Sequence, residues 1–341
     1  MEKYYITTPI YYVNDKPHIG HAYTTILADT ISRFRALIGE NPTFLTGLDE
    51  HGLKVQQAAE KNGKKPQDHC DSMAPAFIDL WKKLNINYSD FIRTTEHRHT
   101  KIVQQILTKV HELGDIYMDE YEGWYSISEE RFITEKELGS GQFGEVKQIK
   151  EKNYFFKMSK YQTTLINKIE KDELLIQPKS RKNEVLGFLK NELSDLCISR
   201  PKSRLEWGIE LPFDDNYVTY VWFDALINYI SAIGLYKDDK HFSSLWPANV
   251  HLIGKDILTT HSVYWPTMLL SLGLPLPQRI FAHGWWLTDD KKMSKSLGNV
   301  VSPLMLIDDF GVDSVRYYLM SEMVLGMDAT FSSESFEKKY N

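Results

Sequence analysis

Two histidines three positions apart carry the first chemical signal of this sequence, in the run Pro17-His18-Ile19-Gly20-His21. Imidazole N–H groups donate hydrogen bonds to phosphate oxygens, and side chains three apart share one side of a helix. Gly20 has no side chain to obstruct a flat ring or a sugar. The run could therefore bind a nucleotide, although two histidines near a helix start also serve as capping or packing residues.

This run lies between a predicted strand and a predicted helix. Residues 4–13 are rich in Tyr, Ile, Thr and Val, which is typical of a buried strand, and residues 14–17 read as a turn. From residue 21 to residue 37 apolar side chains recur at helical spacing. A helix start offers unpaired N–H groups and a partial positive charge, so it favours an anion. The two histidines are therefore predicted to lie at a phosphate-binding helix N-terminus.

A lysine-rich loop over residues 291–299 is the second candidate. Its lysines are spaced to bind a polyphosphate as point charges. Taken alone, such a loop would be a solvated surface. Taken together and in this order, the two stretches resemble the HIGH and KMSKS signatures of the class I aminoacyl-tRNA synthetases.

A carboxylate follows the next predicted strand, residues 43–48. Ligands bind at the carboxyl ends of strands in open α/β sheets, so Asp49 is well placed to hold an ammonium group. The alternative is that Asp49 caps the helix predicted over residues 53–61. Helical patterns follow over residues 68–84 and 99–114, and strands that alternate with helices predict a doubly wound sheet.

The predicted fold class is α/β, a doubly wound, Rossmann-like parallel sheet that is split by an inserted α+β connective domain. Short β segments and one helix, predicted over residues 159–171, form the insertion. The parallel pattern returns with strands predicted at residues 217–223, 250–253 and 279–282. The predicted domains are 1–114 (first half of the catalytic domain), 115–196 (insertion), 197–299 (second half) and 300–341 (a helical segment).

Composition limits the size of the core and the classes of function that the chain can have. With 341 residues and 42% apolar content, the chain can bury one large core or two moderate ones. A net charge of −6 argues against a generally basic nucleic-acid coat, although a local basic face could still bind RNA. Two cysteines, Cys70 and Cys197, allow neither a disulfide framework nor a four-cysteine zinc site. Without a leader-like or membrane-spanning stretch, a soluble, cytoplasmic protein is expected.

One motif points to a different class of enzyme. Residues 138–146 match the glycine-rich loop of protein kinases, and Asp309-Phe310-Gly311 supplies an apparent Asp-Phe-Gly. A kinase also needs a His-Arg-Asp catalytic loop upstream of that motif. Residues 286–299 contain no such triplet, so we predict that the chain is not a kinase and that residues 139–144 form a turn.

Further strings narrow the resemblance to the methionyl-tRNA synthetases, in their bacterial form, and cover nearly the whole chain from residue 4 to residue 327. These strings are Thr8-Pro9-Ile10-Tyr11-Tyr12-Val13-Asn14, Asp49-Glu50-His51-Gly52, Tyr121-Glu122-Gly123-Trp124-Tyr125, Ile198-Ser199-Arg200, Trp207-Gly208-Ile209, Val221-Trp222-Phe223-Asp224-Ala225, Gly254-Lys255-Asp256 and His283-Gly284-Trp285.

The resemblance implies a set of methionine-binding residues. In this set Asp49 would hold the ammonium group, and Arg200 lies in the motif linked to the carboxylate. A thioether is polarizable and is well held by aromatic faces, and Tyr12 and His261 could offer a donor to the sulfur. The full set is Ile10, Tyr12, Asp49, Arg200, Trp222, Ala225, Tyr229, Ile257 and His261.

The resemblance also implies a set of ATP-binding residues. Asp256 would bind the sugar, since a carboxylate after a strand can accept from both ribose hydroxyls, and the backbone of Trp286 would lie near adenine. His18, His21, Lys292 and Lys295 would be the catalytic residues, on the phosphates and the departing pyrophosphate. The full set is His18, Gly20, His21, Gly254, Asp256, Trp286, Lys292 and Lys295.

The implied activity is methionine activation with ATP and Mg²⁺. The methionine carboxylate would attack the α-phosphate in line, giving methionyl-adenylate and pyrophosphate, and the methionyl group would then pass to the 3′ end of tRNA(Met). A carboxylate is already a nucleophile at neutral pH, so catalysis would consist of positioning and charge stabilisation.

The sequence departs from the family in two places. Where many relatives carry zinc-binding cysteines after the Gly-Trp-Tyr string, this chain has Ser126 and Glu129, so no structural zinc and no other metal site are expected. Residues 300–341 resemble the stem-contact region, and the chain is expected to stop before the anticodon-binding domain. Adenylate formation should then persist without efficient tRNA charging, and a monomer is expected.

Two alternatives are weighed against this hypothesis. A nucleotidyltransferase of the other His-x-Gly-His type is disfavoured by chain length and by the motifs around residues 222–229 and 292–296. A non-catalytic RNA-binding or regulatory derivative is disfavoured because His18, His21, Asp49, Lys292 and Lys295 are all intact.

Overall fold

A computed structural model of the protein describes residues 2–126, 131–133, 138, 145–288, 291–293 and 300–340. Its strands, in chain order, are β1 (Lys3–Tyr12), β2 (Asn41–Asp49), β3 (Asp90–Arg93), β4 (Ile116–Ser126), β5 (Arg131–Ile133), β6 (Val146–Phe156), β7 (Leu175–Gln177), β8 (Leu196–Cys197), β9 (Ser199–Pro201), β10 (Glu210–Leu211), β11 (Asp214–Thr219), β12 (Val250–Gly254), β13 (Arg279–His283), β14 (Trp286–Thr288), β15 (Lys291–Lys292) and β16 (Ala329–Phe331). Its α-helices are α1 (Ile19–Leu37), α2 (Leu53–Lys61), α3 (Pro66–Lys83), α4 (His97–Glu112), α5 (Gln162–Glu170), α6 (Lys179–Phe188), α7 (Val221–Ala225), α8 (Asn228–Ser231), α9 (Asp239–Leu245), α10 (Trp265–Leu272), α11 (Pro303–Phe310), α12 (Val312–Glu322) and α13 (Ser333–Tyr340).

Six strands form the central sheet, in the order β3-β2-β1-β12-β13-β7, and every neighbouring pair is parallel. The chain continues from β1 to β2 on one side, whereas β12 lies on the other side of β1. Ligands of open α/β sheets bind at such a change of strand order, outside the carboxyl ends of the strands. The predicted α/β class with a parallel sheet is confirmed, and the sheet sets where a site should lie.

Strand β1 is buried on both faces. Tyr5 and Ile6 are consecutive and each is 0% exposed, yet they pack into different hydrophobic clusters because successive side chains of a strand point to opposite faces. A strand buried on both faces reads as a nearly continuous apolar run. This explains why the first strand was readable from sequence.

Helices cover both faces of the sheet. Ile26 of α1 packs in the cluster that holds Ile6, and Ile106 of α4 packs in the cluster that holds Tyr5. Helix α1 begins at Ile19, two residues before the predicted start, because the side chain of His18 caps it. Among the helices of the described ranges, none is both long and apolar enough to cross a membrane.

The segment predicted as an insertion contains an antiparallel sheet of β5, β4, β6 and β8, with β4 and β6 paired along their full length. One part of residues 115–196 departs from the prediction. Strand β7 pairs in parallel with β13 and is therefore the edge of the central sheet. With three residues, β7 is too short to produce a readable pattern. The outer domain boundaries remain predictions.

The strand predicted over residues 217–223 is wrong as a parallel strand. Residues 214–219 form β11, which pairs antiparallel with β9 and β10 in a separate sheet. The chain then turns into α7, where the carbonyl of Tyr220 accepts from the N–H groups of Phe223 and Asp224. Periodicity alone does not separate a short buried strand from a buried helical turn.

The last described residues, 300–340, form α11, α12, β16 and α13. Strand β16 pairs in parallel with β14, in a separate three-stranded sheet of β15, β14 and β16. Asp309 and Phe310 end helix α11, and the Phe310 ring lies 4.6 Å from that of Phe336. The apparent kinase motif is thus a helix terminus packed on its neighbour, while residues 139–144 lie outside the described ranges.

Candidate active site

A cavity of about 350 Å³ opens at the carboxyl ends of β1, β2, β12 and β13. Of the predicted site residues whose side chains the structure describes, all line it except Arg200. Lys295 lies outside the described residues, and of Lys292 only the backbone, in β15, is described. Residues from both halves of the chain therefore meet at one site.

The histidine end of the cavity is organised by reciprocal capping. The N–H of Gly20 donates to Nδ1 of His18, and the N–H of His18 donates to Nδ1 of His21, both at 3.0 Å. Because each Nδ1 accepts a hydrogen bond, each neutral ring carries its proton on Nε2. Burial, together with electrostatic repulsion between its protonated ring and a protonated His18, lowers the pKa of His21 well below its ordinary value. His21 is therefore a neutral ring with one N–H left to donate.

Gly20 makes this arrangement possible. A Cβ at residue 20 would lie 2.9 Å from Cε1 of His18 and 3.1 Å from its Nδ1. Any side chain here would push the His18 ring out of its capping position. The glycine thus protects the orientation of the histidine as well as leaving room for a ligand.

The next part of the cavity lies at the ends of β12 and β13. Asp256 is exposed and lines the cavity just after β12, and its Oδ1 accepts from Nε1 of Trp285 at 3.1 Å. A Cβ at Gly254 would lie 2.6 Å from that oxygen, so the glycine leaves space for the carboxylate. Trp286 is 4% exposed and packs against Tyr23 as part of the wall.

The opposite end of the cavity is aromatic and largely apolar. Asp49, the last residue of β2, lines this end and is 2% exposed. Tyr229 and His261 form its floor, with Oη of Tyr229 at 2.8 Å from Nε2 of His261. The remaining predicted methionine residues on this wall are Ile10, Tyr12, Trp222, Ala225 and Ile257.

The protonation of His261 corrects one expectation. Nδ1 of His261 lies 2.9 Å from the carbonyl oxygen of Ile257, which can only accept, so this nitrogen carries the proton. Burial lowers the pKa of His261 to about 4, so the ring is neutral and its Nε2 accepts from the Tyr229 hydroxyl. His261 therefore has no donor left for a sulfur atom and acts by orienting Tyr229.

Arg200 is the one described residue of the predicted set that does not line this cavity. It is 3% exposed, its Nη1 donates to the carbonyl of Ser199 at 2.6 Å, and its guanidinium lies 4.5 Å from the centre of the Tyr220 ring. Arg200 lines a separate, very small cleft with Tyr125 and Leu205. Strand β9 pairs antiparallel with β11 in a sheet separate from the central one. The role of Arg200 in methionine binding stays a prediction.

A buried network supports the helix that carries Trp222 and Ala225, and no sequence motif revealed its geometry. Asp224 accepts from Nδ1 of His51 at 2.6 Å through one oxygen and from Nε2 of His99 at 2.7 Å through the other. Burial alone would raise the pKa of Asp224, but the two histidines lower it below its ordinary value. Asp224 lies between Trp222 and Ala225, so the network joins β2, α4 and the helix that carries two cavity residues.

Several residues that line the cavity were missed from sequence. The clearest are His283, the last residue of β13 as Asp49 is of β2, and Trp285, two residues further on. Nε2 of His283 lies 2.7 Å from the hydroxyl of Thr24, one helical turn after Gly20. The rule that ligands bind at the ends of parallel strands would have found both residues. The other cavity residues without a predicted role include Lys54, Asn228 and Met293.

Within the described ranges, no group of three or more His, Cys, Asp or Glu residues is arranged to hold a metal ion. Ser126 ends β4, whereas Glu129 lies outside those ranges. The expectation of no structural zinc stays a prediction.

The parallel sheet, with a cavity where its strand order changes, has the architecture of a class I aminoacyl-tRNA synthetase catalytic domain. A family model described as "tRNA synthetases class I (M)" matches residues 4–142 and 139–341. The chain belongs to this family.

Curated relatives agree with this assignment. Methionine--tRNA ligase of Clostridium tetani is 52% identical over 344 residues, which is 99% of this chain and 53% of that protein. Methionine--tRNA ligase of Bacillus subtilis is 46% identical over 355 residues, covering 99% of this chain and 53% of the relative. The chain spans about half the length of the curated relatives it matches.

Solved structures are similar over the whole chain. Mycobacterium tuberculosis methionyl-tRNA synthetase in complex with methionyl-adenylate has a TM-score of 0.96 at 41% identity, covering 100% of this chain and 68% of that one. The free-state structure of the Mycobacterium tuberculosis enzyme has a TM-score of 0.80 at 38% identity, covering 98% and 65%.

Proposed function

We propose that the protein activates methionine with ATP to form methionyl-adenylate and pyrophosphate, and donates the methionyl group to tRNA(Met). One observation carries the proposal. A single cavity joins an anion-binding helix start, a carboxylate placed for a ribose, and a buried carboxylate above an aromatic pocket. This is the set of groups that ATP and an apolar amino acid require together.

In the amino-acid half of the cavity, Asp49 would bind the ammonium group of methionine. The thioether would lie against Trp222 and Tyr229, since a polarizable sulfur is well held by aromatic faces. Ile10, Tyr12, Ala225 and Ile257 would complete the pocket, and His261 would orient Tyr229.

In the nucleotide half, the Nε2–H groups of His18 and His21 would donate to phosphate oxygens at the positive end of α1. Asp256 would accept from the ribose hydroxyls beside Gly254, and the backbone of Trp286 would lie near adenine. ATP would enter as its magnesium complex, the ion being held mainly by the phosphates and water. Lys292 and Lys295 would bind the departing pyrophosphate.

The reaction is a displacement at the α-phosphate. A methionine carboxylate oxygen forms the new bond to phosphorus, and the bond to the bridging oxygen breaks, so pyrophosphate leaves with the electron pair. No general base is required because the nucleophile is already ionised. The chain contributes positioning, and neutral donors such as His21 stabilise the charge that develops on the phosphate.

Pyrophosphate–ATP exchange without tRNA tests the proposal, run separately with methionine, leucine, isoleucine, valine and cysteine. Exchange with methionine alone is the expected result. Exchange with another amino acid would change the assigned specificity. No exchange with any of them, in a folded sample that still binds ATP, would favour a non-catalytic derivative of the fold. A cytoplasmic location and a monomeric state stay predictions from the sequence.

A further inference from the structure

Three side chains form a cluster behind the Asp256 carboxylate: Lys255, Trp285 and Asp328. Asp328 joins the other two, because its Oδ1 accepts from the backbone N–H of Trp285 at 2.8 Å and its Oδ2 accepts from Nζ of Lys255 at 2.7 Å. Nζ of Lys255 also lies 4.1 Å from the centre of the Trp285 ring, within the range of a cation–π contact. Asp328 therefore holds Trp285 through its backbone N–H, and Lys255 contacts the face of its indole ring.

The held indole acts on the cavity through Asp256. Its N–H donates to Oδ1 of Asp256 at 3.1 Å. The terminal torsion of an exposed aspartate is broad, so a donor in a defined place selects one orientation of the carboxylate. Among the hydrogen bonds of the described residues, none uses Oδ2 of Asp256, which leaves that oxygen for a ligand.

Two glycines permit this close arrangement. A Cβ at Gly254 would lie 2.6 Å from Oδ1 of Asp256, and a Cβ at Gly284 would lie 2.0 Å from the carbonyl oxygen of Met327. The second glycine lets the segment that carries Asp328 approach the backbone of Trp285. The cluster thus depends on close approaches on both sides of the indole.

We propose that Trp285 is a positioning residue for ribose recognition. Its indole N–H orients Asp256 so that the second carboxylate oxygen accepts from the ribose hydroxyls of ATP, while Lys255 and Asp328 hold the indole in place. The inference rests on the proposed function, in which Asp256 binds the ribose. Asp328 does not line the cavity. In this inference it is the residue through which the segment after residue 300 supports nucleotide binding.

The test compares ATP with 2′-deoxy-ATP and 3′-deoxy-ATP in methionine-dependent pyrophosphate exchange. Trp285→Phe keeps a flat ring for Lys255 but removes the indole N–H. We expect the KM for ATP to rise about three- to tenfold, the effect of one lost hydrogen bond, while the KM for methionine is unchanged. The preference for ATP over both deoxynucleotides should fall by a similar factor. A variant that was merely destabilised would keep this preference.

A second variant and a matched control sharpen the test. Asp328→Asn keeps an acceptor for the Trp285 N–H but removes the charge opposite Lys255, so a smaller change in the same direction is expected. Trp246→Phe removes another indole hydrogen bond, from Nε1 to the carbonyl of Pro275 at 2.9 Å, away from the cavity. This control should keep the wild-type preference for ATP.

The outcomes separate the inference from the proposed function. Loss of the ATP preference in Trp285→Phe and its reduction in Asp328→Asn, with Trp246→Phe unaffected, supports the inference. Active Trp285→Phe protein with the wild-type preference overturns it, as does equal use of the three nucleotides by the wild type. If Trp285→Phe does not fold, an unchanged preference in Asp328→Asn overturns it. A wild type without methionine-dependent exchange overturns the proposed function as well.

Discussion

At the scale of single residues, the histidines of this site are defined by the groups that occupy their other nitrogens. Backbone N–H groups donate to Nδ1 of His18 and of His21, and a backbone carbonyl accepts from Nδ1 of His261. The first two rings can therefore donate to an anion, whereas the third can only orient a neighbouring hydroxyl. Identical side chains thus have opposite hydrogen-bonding roles at the two ends of one cavity.

Replacing His21 tests its role as a donor to phosphate. His21→Ala should slow pyrophosphate exchange by about 10²–10³-fold, the usual loss for one donor that acts on developing charge. Methionine binding at equilibrium should be nearly unchanged, because His21 lies at the other end of the cavity. His111→Ala, at an exposed position near the end of α4, serves as the control. Comparable losses in exchange and in methionine binding would instead place His21 in the amino-acid pocket.

Gly20 offers a second test, since its role is to keep the His18 ring in place. Gly20→Ala should lower kcat/KM for ATP by about tenfold, equivalent to one oriented hydrogen bond, with little change in the unfolding midpoint. Gly187→Ala is a matched control, because a Cβ there meets nothing within 4 Å. Equal activity of the two variants would show that the orientation of His18 does not matter.

At the scale of elements, Asp224 joins three parts of the chain that sequence places far apart. It bonds His51, just after β2, and His99 in α4, and it belongs to α7. Its side chain is 1% exposed, so both hydrogen bonds lie in the core. These two hydrogen bonds fix the end of β2, which carries Asp49, relative to the helix that carries Trp222.

Removing the Asp224 carboxylate should therefore weaken both the fold and the amino-acid pocket. Asp224→Ala leaves two buried imidazole N–H groups without an acceptor, so the free energy of unfolding should fall by about 2–5 kcal/mol. Urea denaturation measures this, and methionine affinity should fall with it. Asp71→Ala removes a half-exposed partner of Arg93 and should cost no more than about 1 kcal/mol. Similar values for the two variants would contradict a supporting role for the network.

At the scale of the whole molecule, buried neutral histidines make stability depend on pH. Burial lowers the pKa values of His21, His251, His261 and His283 in the folded state. In the unfolded chain these groups take up protons near pH 6.5. The unfolded state then binds more protons than the folded state, so stability falls as pH decreases below that value.

We expect the free energy of unfolding to be highest above about pH 6.5 and to fall toward pH 5, by about 1.4 kcal/mol per pH unit for each such histidine. Urea denaturation at several pH values measures the slope. His251 lies outside the cavity, and His251→Gln should make the slope shallower by the contribution of one histidine, about 1.4 kcal/mol per pH unit. A stability that is constant or rises between pH 6.5 and pH 5 would show that these rings are already charged in the folded protein.

Most of the cavity could be predicted because its residues belong to short strings or follow a predicted strand. Asp49 was placed at the end of a strand, and the histidine run at the start of a helix, from local spacing alone. That Arg200 lines a separate cleft could not be read from its motif, because β9 pairs with β11, a strand further along the chain. The strand over residues 217–223 was misassigned because a short apolar run fits a buried strand and a buried helical turn equally well.

The sequence by itself determined the local features: the capped helix start at His18 to His21, the apolar strand before it, and the small residues Gly20 and Gly254 where ligand or side chain must approach closely. These depend on neighbours within a few positions. Only the tertiary structure decided which long-range partners meet, such as His51 and His99 on Asp224, or Asp328 on Trp285 and Lys255. The physical reason is that hydrogen-bond direction and burial select the protonation and orientation of a side chain, and both depend on groups that approach only when the sheet has formed.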